Sequence, residues 1–169
     1  MKTKKPPKFL PEARAFDSKL EWAGIIALVI SWGVSLYVYR VSSSDLPTHF
    51  DATGKVDAYG NKITVLVLPL ISTLLFAGMS WLNHYPEKFN YPTKITERNK
   101  ETEYRAAMRT IRGMKLAVVL VFLLITIAIF ISENSAGNKV VAWLLPSILL
   151  LSFAPIIIYF ATAKKRIKP

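Results

Sequence analysis

Residues 63–81 read ITVLVLPLISTLLFAGMSW, nineteen positions without an acidic, basic or histidine side chain. A run of about 18 or more apolar residues is long enough to cross a hydrocarbon core roughly 30 Å thick. Working outward, Trp22–Tyr39, Leu116–Ser132 and Val140–Ala163 share the property. Four such runs take up nearly half the chain. The fold class they imply is an all-α integral membrane protein with four transmembrane helices, over about 22–39, 63–83, 115–132 and 140–163. Residues 1–20 form a basic cytoplasmic arm, and 21–169 a single four-helix membrane domain, with an outer loop at 40–62 and an inner loop at 84–114.

Composition agrees. The chain is 52% hydrophobic, and those residues are blocked together rather than alternated with polar ones as in a soluble domain. The longest polar stretch, His84 to Lys115, leaves no room for a separate soluble domain. Without cysteine there is no disulfide or thiol chemistry and no palmitoyl anchor. The first apolar run is longer than a cleaved signal's core and lacks a small-x-small site, so it reads as an uncleaved span.

The net charge of +11 would suggest nucleic acid on a soluble protein. Here it follows from basic residues flanking spans on the cytoplasmic side, and no nucleic-acid partner is expected. Eighteen basic residues fall on the arm, the inner loop and the tail; four, Arg40, Lys55, Lys62 and Lys139, fall on the other side. That bias puts both termini in the cytoplasm. Trp22, Trp81 and Tyr159 lie near inner span ends, and Tyr37, Tyr39 and Trp143 near outer ones, where amphipathic rings favour the headgroup level.

Pro69, Pro146 and Pro155 sit inside spans two and four, where neighbouring groups must satisfy the freed carbonyls. Ser31, Gly33 and Ser35 in span one, and Ala77, Gly78 and Ser80 in span two, form small-residue patches that allow close helix approach. The absence of Asp, Glu, His, Lys or Arg at membrane depth argues against proton or ion transport.

The outer loop, SSSDLPTHFDATGKVDAYGNK at 42–62, carries the most information. Pro47 extends its start. Asp51–Gly54 and Asp57–Asn61 each have the make-up of a turn, because Asp and Asn bond their own backbone and Gly supplies positive φ. His49, Asp51 and Asp57 are the candidate metal ligands, since imidazole and carboxylate suit zinc or manganese. Their spacing matches no zinc signature, and the alternative is that the carboxylates brace turns while His49 packs at the interface. Lys62 is expected as an interfacial anchor or as a partner for Asp57. No nucleophile setting or phosphate loop appears, so no catalytic residue and no cofactor is assigned.

The string LPTHFDATGKVDAYGNK resembles the pattern L-P-x-H-F, then G-x-x-D, then K, that marks the bacterial membrane family called domain of unknown function 1648. The matching positions are Leu46, Pro47, His49, Phe50, Gly54, Asp57 and Lys62. Asn90-Tyr91-Pro92, Ile95-Thr96 and Tyr104-Arg105 are similar to the family's inner loop, so the resemblance spans roughly 20–115. The same module opens the toxin-immunity proteins like SdpI, which continue with further spans where this chain has four. The resemblance implies a multi-pass protein of the bacterial cytoplasmic membrane. It would be non-enzymatic and recognise an extracytoplasmic ligand or partner, a secreted peptide toxin or another membrane protein, in immunity, resistance or envelope-stress signalling. His49, Phe50, Gly54, Asp57 and Lys62 would form the recognition surface. The alternatives are a metal-dependent membrane enzyme using His49, Asp51 and Asp57, and an assembly partner of a larger complex.

In the inner loop Thr96 is the expected N-cap of a helix, with Glu97 at its positive end. Tyr104, Ala107, Met108, Ile111 and Met114 then recur at helical spacing, with Arg98, Lys100, Arg105, Arg109 and Arg112 around them. This predicts an amphipathic helix at the cytoplasmic interface, bending at Gly113 into span three. Arg105, Arg109, Arg112, Trp22 and Trp81 are the expected contacts to the lipid bilayer, and His84 is expected to be interfacial.

Overall fold

The computed structural model describes residues 10–42, 45–51, 53–134 and 143–167; most of the basic arm, Lys139 and the last two residues of the tail lie outside the described residues. The order is α1 (Ala15–Val41), β1 (Leu46–Phe50), β2 (Val56–Gly60), α2 (Thr64–Leu82), a 3-10 turn (Pro86–Lys88), α3 (Lys100–Asn134) and α4 (Leu144–Ile167). Among the described residues four helices are long and apolar enough to cross a membrane. Among the described residues the one addition to an all-helical reading is the hairpin of β1 and β2, antiparallel between the first two spans.

α3 is the axis, packing against α1, α2, α4 and β1. The face that α1 buries is a stripe of mostly small residues at helical spacing: Gly24, Ala27, Ser31, Ser35 and Val38. In lipid no hydrophobic force draws apolar helices together, so close backbone approach and van der Waals packing must hold them. The approach is close at Gly24, where an added Cβ would lie 2.7 Å from Phe76 Cε2 on α2. Gly33 and Gly78 have open space beside them. Of the small patches in the sequence, therefore, the serines matter and those two glycines do not. Hydrogen bonds between spans add to the packing: Trp32 Nε1 donates to Thr73 Oγ1 at 3.0 Å, and the Ser35 and Thr126 hydroxyls lie 3.5 Å apart.

Pro69 lies inside α2 and is buried. The hydroxyls of Ser72 and Thr73 donate to its carbonyl at 3.0 and 2.6 Å, shielding a backbone acceptor next to the break. Pro155 lies inside α4, while Pro146 occupies the first turn, where a missing N–H costs nothing.

The inner loop differs from its sequence reading in three ways. α3 begins at Lys100, not Thr96. Thr96 instead opens one preceding turn: its N–H donates to Asn99 Oδ1 at 2.7 Å and its carbonyl accepts from Lys100 N at 2.9 Å. The Asn99 side chain thus does the local bonding that the Thr96 hydroxyl was expected to do. Second, α3 is one continuous helix of 35 residues, about 52 Å long, so the amphipathic segment and span three are a single rod. Third, Gly113 does not interrupt it; a Cβ there would lie 3.4 Å from Pro155 Cβ. Its smallness serves contact with α4. Before the rod, Tyr91 donates to Pro86 O at 2.8 Å and stacks on Tyr104 with centroids 5.5 Å apart. Burial raises the phenol pKa of Tyr91 above its usual value.

Candidate functional site

The hairpin forms because β1 is pinned from both sides. Leu46 is fully buried in a cluster with Val38, Val65 and Ile129, and Phe50 packs at its edge. The strands pair Leu46 with Gly60 and Phe50 with Val56, with a bulge around His49. A Cβ at Gly60 would touch Thr48 Cγ2 at 3.0 Å. The turn between the strands is built by Asp51, whose Oδ1 accepts from Thr53 N at 2.8 Å, Thr53 Oγ1 at 2.6 Å and Lys55 N at 2.9 Å. The Thr53 hydroxyl, then the Lys55 amide, hold its pKa below the ordinary 3.8 against a small opposing desolvation. Gly54 takes φ 84°, a value L side chains avoid. The second expected turn is a strand: Asp57, Ala58, Tyr59 and Gly60 all belong to β2. Asp and Gly there suggest turns in isolation, and pairing with β1 overrides them.

Of the three candidate ligands, the structure brings two together. His49 Nδ1 lies 2.5 Å from Asp57 Oδ1, with the side chains 67% and 45% exposed. Asp51 is committed to its turn. Among the described residues no group of three or more His, Cys, Asp or Glu could hold a metal ion.

Lys62 is directed away from Asp57. Its ammonium donates to the Ser42 carbonyl at 2.8 Å and lies 5.2 Å from the centroid of the Tyr39 ring. The Ser42 hydroxyl in turn donates to Glu133 Oε2 at 2.5 Å. Lys62, Ser42 and Glu133 thus form a strap tying the base of the hairpin to the ends of α1 and α3. Of the five expected recognition residues, His49 and Asp57 are exposed, Phe50 is half-buried, and Gly54 and Lys62 shape and hold the loop.

Beneath β1 is a groove of about 390 Å³. His49, Thr48 and Thr64 supply its polar margin, and Leu68, Ile125, Ile129, Leu144 and Ile148 its apolar wall. The exposed imidazole therefore stands at the rim of an apolar recess between α2, α3 and α4. Residues 26–73, which contain all of this loop, match the family described as Domain of unknown function (DUF1648).

That match covers one segment of the chain. It runs from within α1 through the hairpin to the middle of α2, so the inner loop lies outside the matched residues. The chain is also similar to an uncharacterized protein from Archaeoglobus fulgidus, 24% identical over an alignment of 150 positions that covers 80% of this chain and 81% of that protein. No solved structure matches.

At the opposite end lies a charged clasp that reading the sequence missed. Arg109 donates to Asp17 Oδ1 from Nε at 2.6 Å and to Oδ2 from Nη2 at 3.3 Å. The Arg14 N–H adds a third bond to Asp17, at 2.9 Å. Lys115, almost wholly buried, lies 2.5 Å from Glu21 Oε1 and 2.8 Å from Ser80 Oγ, over the Phe76 ring. Arg112 faces Glu21 at 3.5 Å. Arg109 and Arg112, expected at lipid, are thus directed at α1 carboxylates, and Arg105 pairs with Glu101 along α3. Trp22 and Trp81 are exposed on the bundle surface. His84 Nδ1 lies 2.9 Å from the Ser80 carbonyl. The signal for the clasp is periodicity: Asp17 and Glu21 continue the spacing of the Gly24–Val38 stripe, and an acid on a buried stripe needs a cation from the neighbouring helix.

Proposed function

We propose that this multi-pass membrane protein is a non-enzymatic recognition protein. Its outer hairpin receives an extracytoplasmic ligand or membrane partner, in toxin immunity or envelope signalling, with both termini in the cytoplasm of a bacterial cell. The observation that supports this most is the exposed His49–Asp57 pair at the rim of the groove beneath β1. A donor–acceptor pair at the margin of an apolar recess suits an amphipathic ligand such as a membrane-active peptide. The strap and the Asp51 turn hold that pair in one geometry before any ligand arrives, which lowers the ordering cost of binding.

The test is protection. A sensitive host expressing the protein is challenged with membrane-active peptide toxins, alongside hosts carrying His49→Ala or Asp57→Ala. Protection by wild type that both variants lose at equal folded yield supports the reading. Undiminished protection in both variants removes the pair from the mechanism, and no protection by wild type against any toxin tested removes the immunity role.

A further inference from the structure

At the clasp end, Gly113 of α3 faces Pro155 of α4, and both border a recess. The wedge that opens there is a cavity of about 440 Å³ between α1, α3 and α4. That is within the range of about 300–1,000 Å³ typical of small-ligand sites. Phe16, Leu20, Ala106, Pro155 and Ile158 line it with apolar surface. Along α3 it extends from Ala106 to Gly113, about 10 Å, ending at the level where the first apolar run begins.

Among the described residues one charged side chain lines this apolar wedge. Arg109 stands between the cavity and Asp17, with its guanidinium carbon 5.2 Å from the Phe16 ring centroid and its side chain 37% exposed. Its bonds to Asp17 use two of the five N–H groups a guanidinium carries. The clasp as a whole sets three cations, Arg109, Arg112 and Lys115, against two carboxylates, Asp17 and Glu21. Lys19, exposed, lies one residue from Leu20. An apolar recess at headgroup depth with excess positive charge at its mouth is complementary to one class of molecule.

We propose that this wedge binds an anionic phospholipid, with acyl chain in the cavity and phosphate on Arg109. The site lies at the other end of the bundle from the hairpin and stands whether or not the hairpin has a ligand. Arg109 then has two roles at once: Asp17 fixes its orientation, and the outward N–H groups meet the phosphate. A planar fork suits that double duty, since it offers donors in two directions.

The full chain, purified in detergent, is titrated with dioleoyl phosphatidylglycerol or dioleoyl phosphatidylcholine, and bound lipid is counted by native mass spectrometry. The expected result is about fivefold tighter binding of phosphatidylglycerol, the factor given by one cation near an anionic lipid. Ala106→Phe places a ring in the cavity, and Ala154→Phe fills it from the α4 wall should the first variant fail to fold. Asp17→Asn with Arg109→Gln removes both charges together and leaves no carboxylate stranded. The cavity-filling variant and the charge-free pair should each lower phosphatidylglycerol binding at least to the wild-type phosphatidylcholine level. Glycerol 3-phosphate, which has the anion without the chains, should not compete. Equal wild-type affinity for the two lipids, survival of the preference in either folded variant, or full competition by glycerol 3-phosphate would each overturn the proposal.

Discussion

The Asp17–Arg109 pair makes an asymmetric prediction. Asp17 has no exposed surface, whereas the Arg109 side chain is 37% exposed. Arg109→Gln leaves a carboxylate buried with one backbone donor, Arg14 N–H, and should cost about 3–5 kcal/mol, as removing one partner of a buried ion pair does. Asp17→Asn leaves an amide whose oxygen still accepts from Arg14 N–H, while the part-exposed guanidinium turns to water. Its cost is the difference between charged and neutral hydrogen bonds plus the loss of an acid in the first turn of α1, about 1–2 kcal/mol in all. The double variant leaves two amides facing each other and should cost about 2–3 kcal/mol, well short of the sum of the singles, because the stranded charge is absent. Stability is read from reversible unfolding in mixed micelles of increasing dodecyl sulfate, followed by tryptophan fluorescence. If Asp17→Asn proves as damaging as Arg109→Gln, or the two costs add to within about 0.5 kcal/mol, the clasp is not the buried, one-sided ion pair described here.

Gly24→Ala should destabilise by about 1–3 kcal/mol in the same assay, because its Cβ would meet the Phe76 ring at 2.7 Å and move a side chain that also touches Lys115. Asp51 has a folded-state pKa below the ordinary 3.8, so its bracing is complete above 3.8 and lost as pH falls through the lower folded value; the protection factors of the Thr53 and Lys55 amides should fall there and stay constant over pH 5–7. Lys62→Met should speed exchange across β1 and β2 with no change in α1 and α3, since the strap to the Ser42 carbonyl goes while the spans stay packed. A single cysteine at Thr53 should react with impermeant thiol reagents in intact cells; protection until lysis would invert the topology.

The spans were legible because hydropathy is a local property, and four uninterrupted apolar runs allow one reading. Half of the hairpin was legible for a related reason: the Asp51 turn closes within five residues, and its Asp, Thr and Gly are chosen by local bonds. The other half was not, because Asp57 to Gly60 become a strand only through partners at Leu46 to Phe50. Lys62 shows the same limit. Its neighbours in sequence suggested Asp57, but its acceptor is a carbonyl 20 positions earlier. The clasp was the least visible part, since Asp17 and Arg109 are separated by 92 positions. A tally of charges assigns Arg109 and Lys115 to a basic loop; only the buried stripe on α1 says that two carboxylates point at them.

Both straps join α1 to α3: Ser42 to Glu133 at one end, and Asp17 and Glu21 to Arg109, Arg112 and Lys115 at the other. Between them the contact is small residues in lipid, held by close packing and by the Ser35–Thr126 hydroxyl contact. Polar bonds are most useful at the two interfaces, where the spans end and water begins to compete for the same groups. α4 also packs along α3, with Gly113 against Pro155, and exposes Leu150, Ile157 and Ile158 along its length. The groove under β1 ends on Leu144 and Ile148, and the wedge by Arg109 ends on Pro155 and Ile158. Both recesses therefore share α4 as a wall, and each has a fixed polar group at its mouth, His49 at one end and Arg109 at the other.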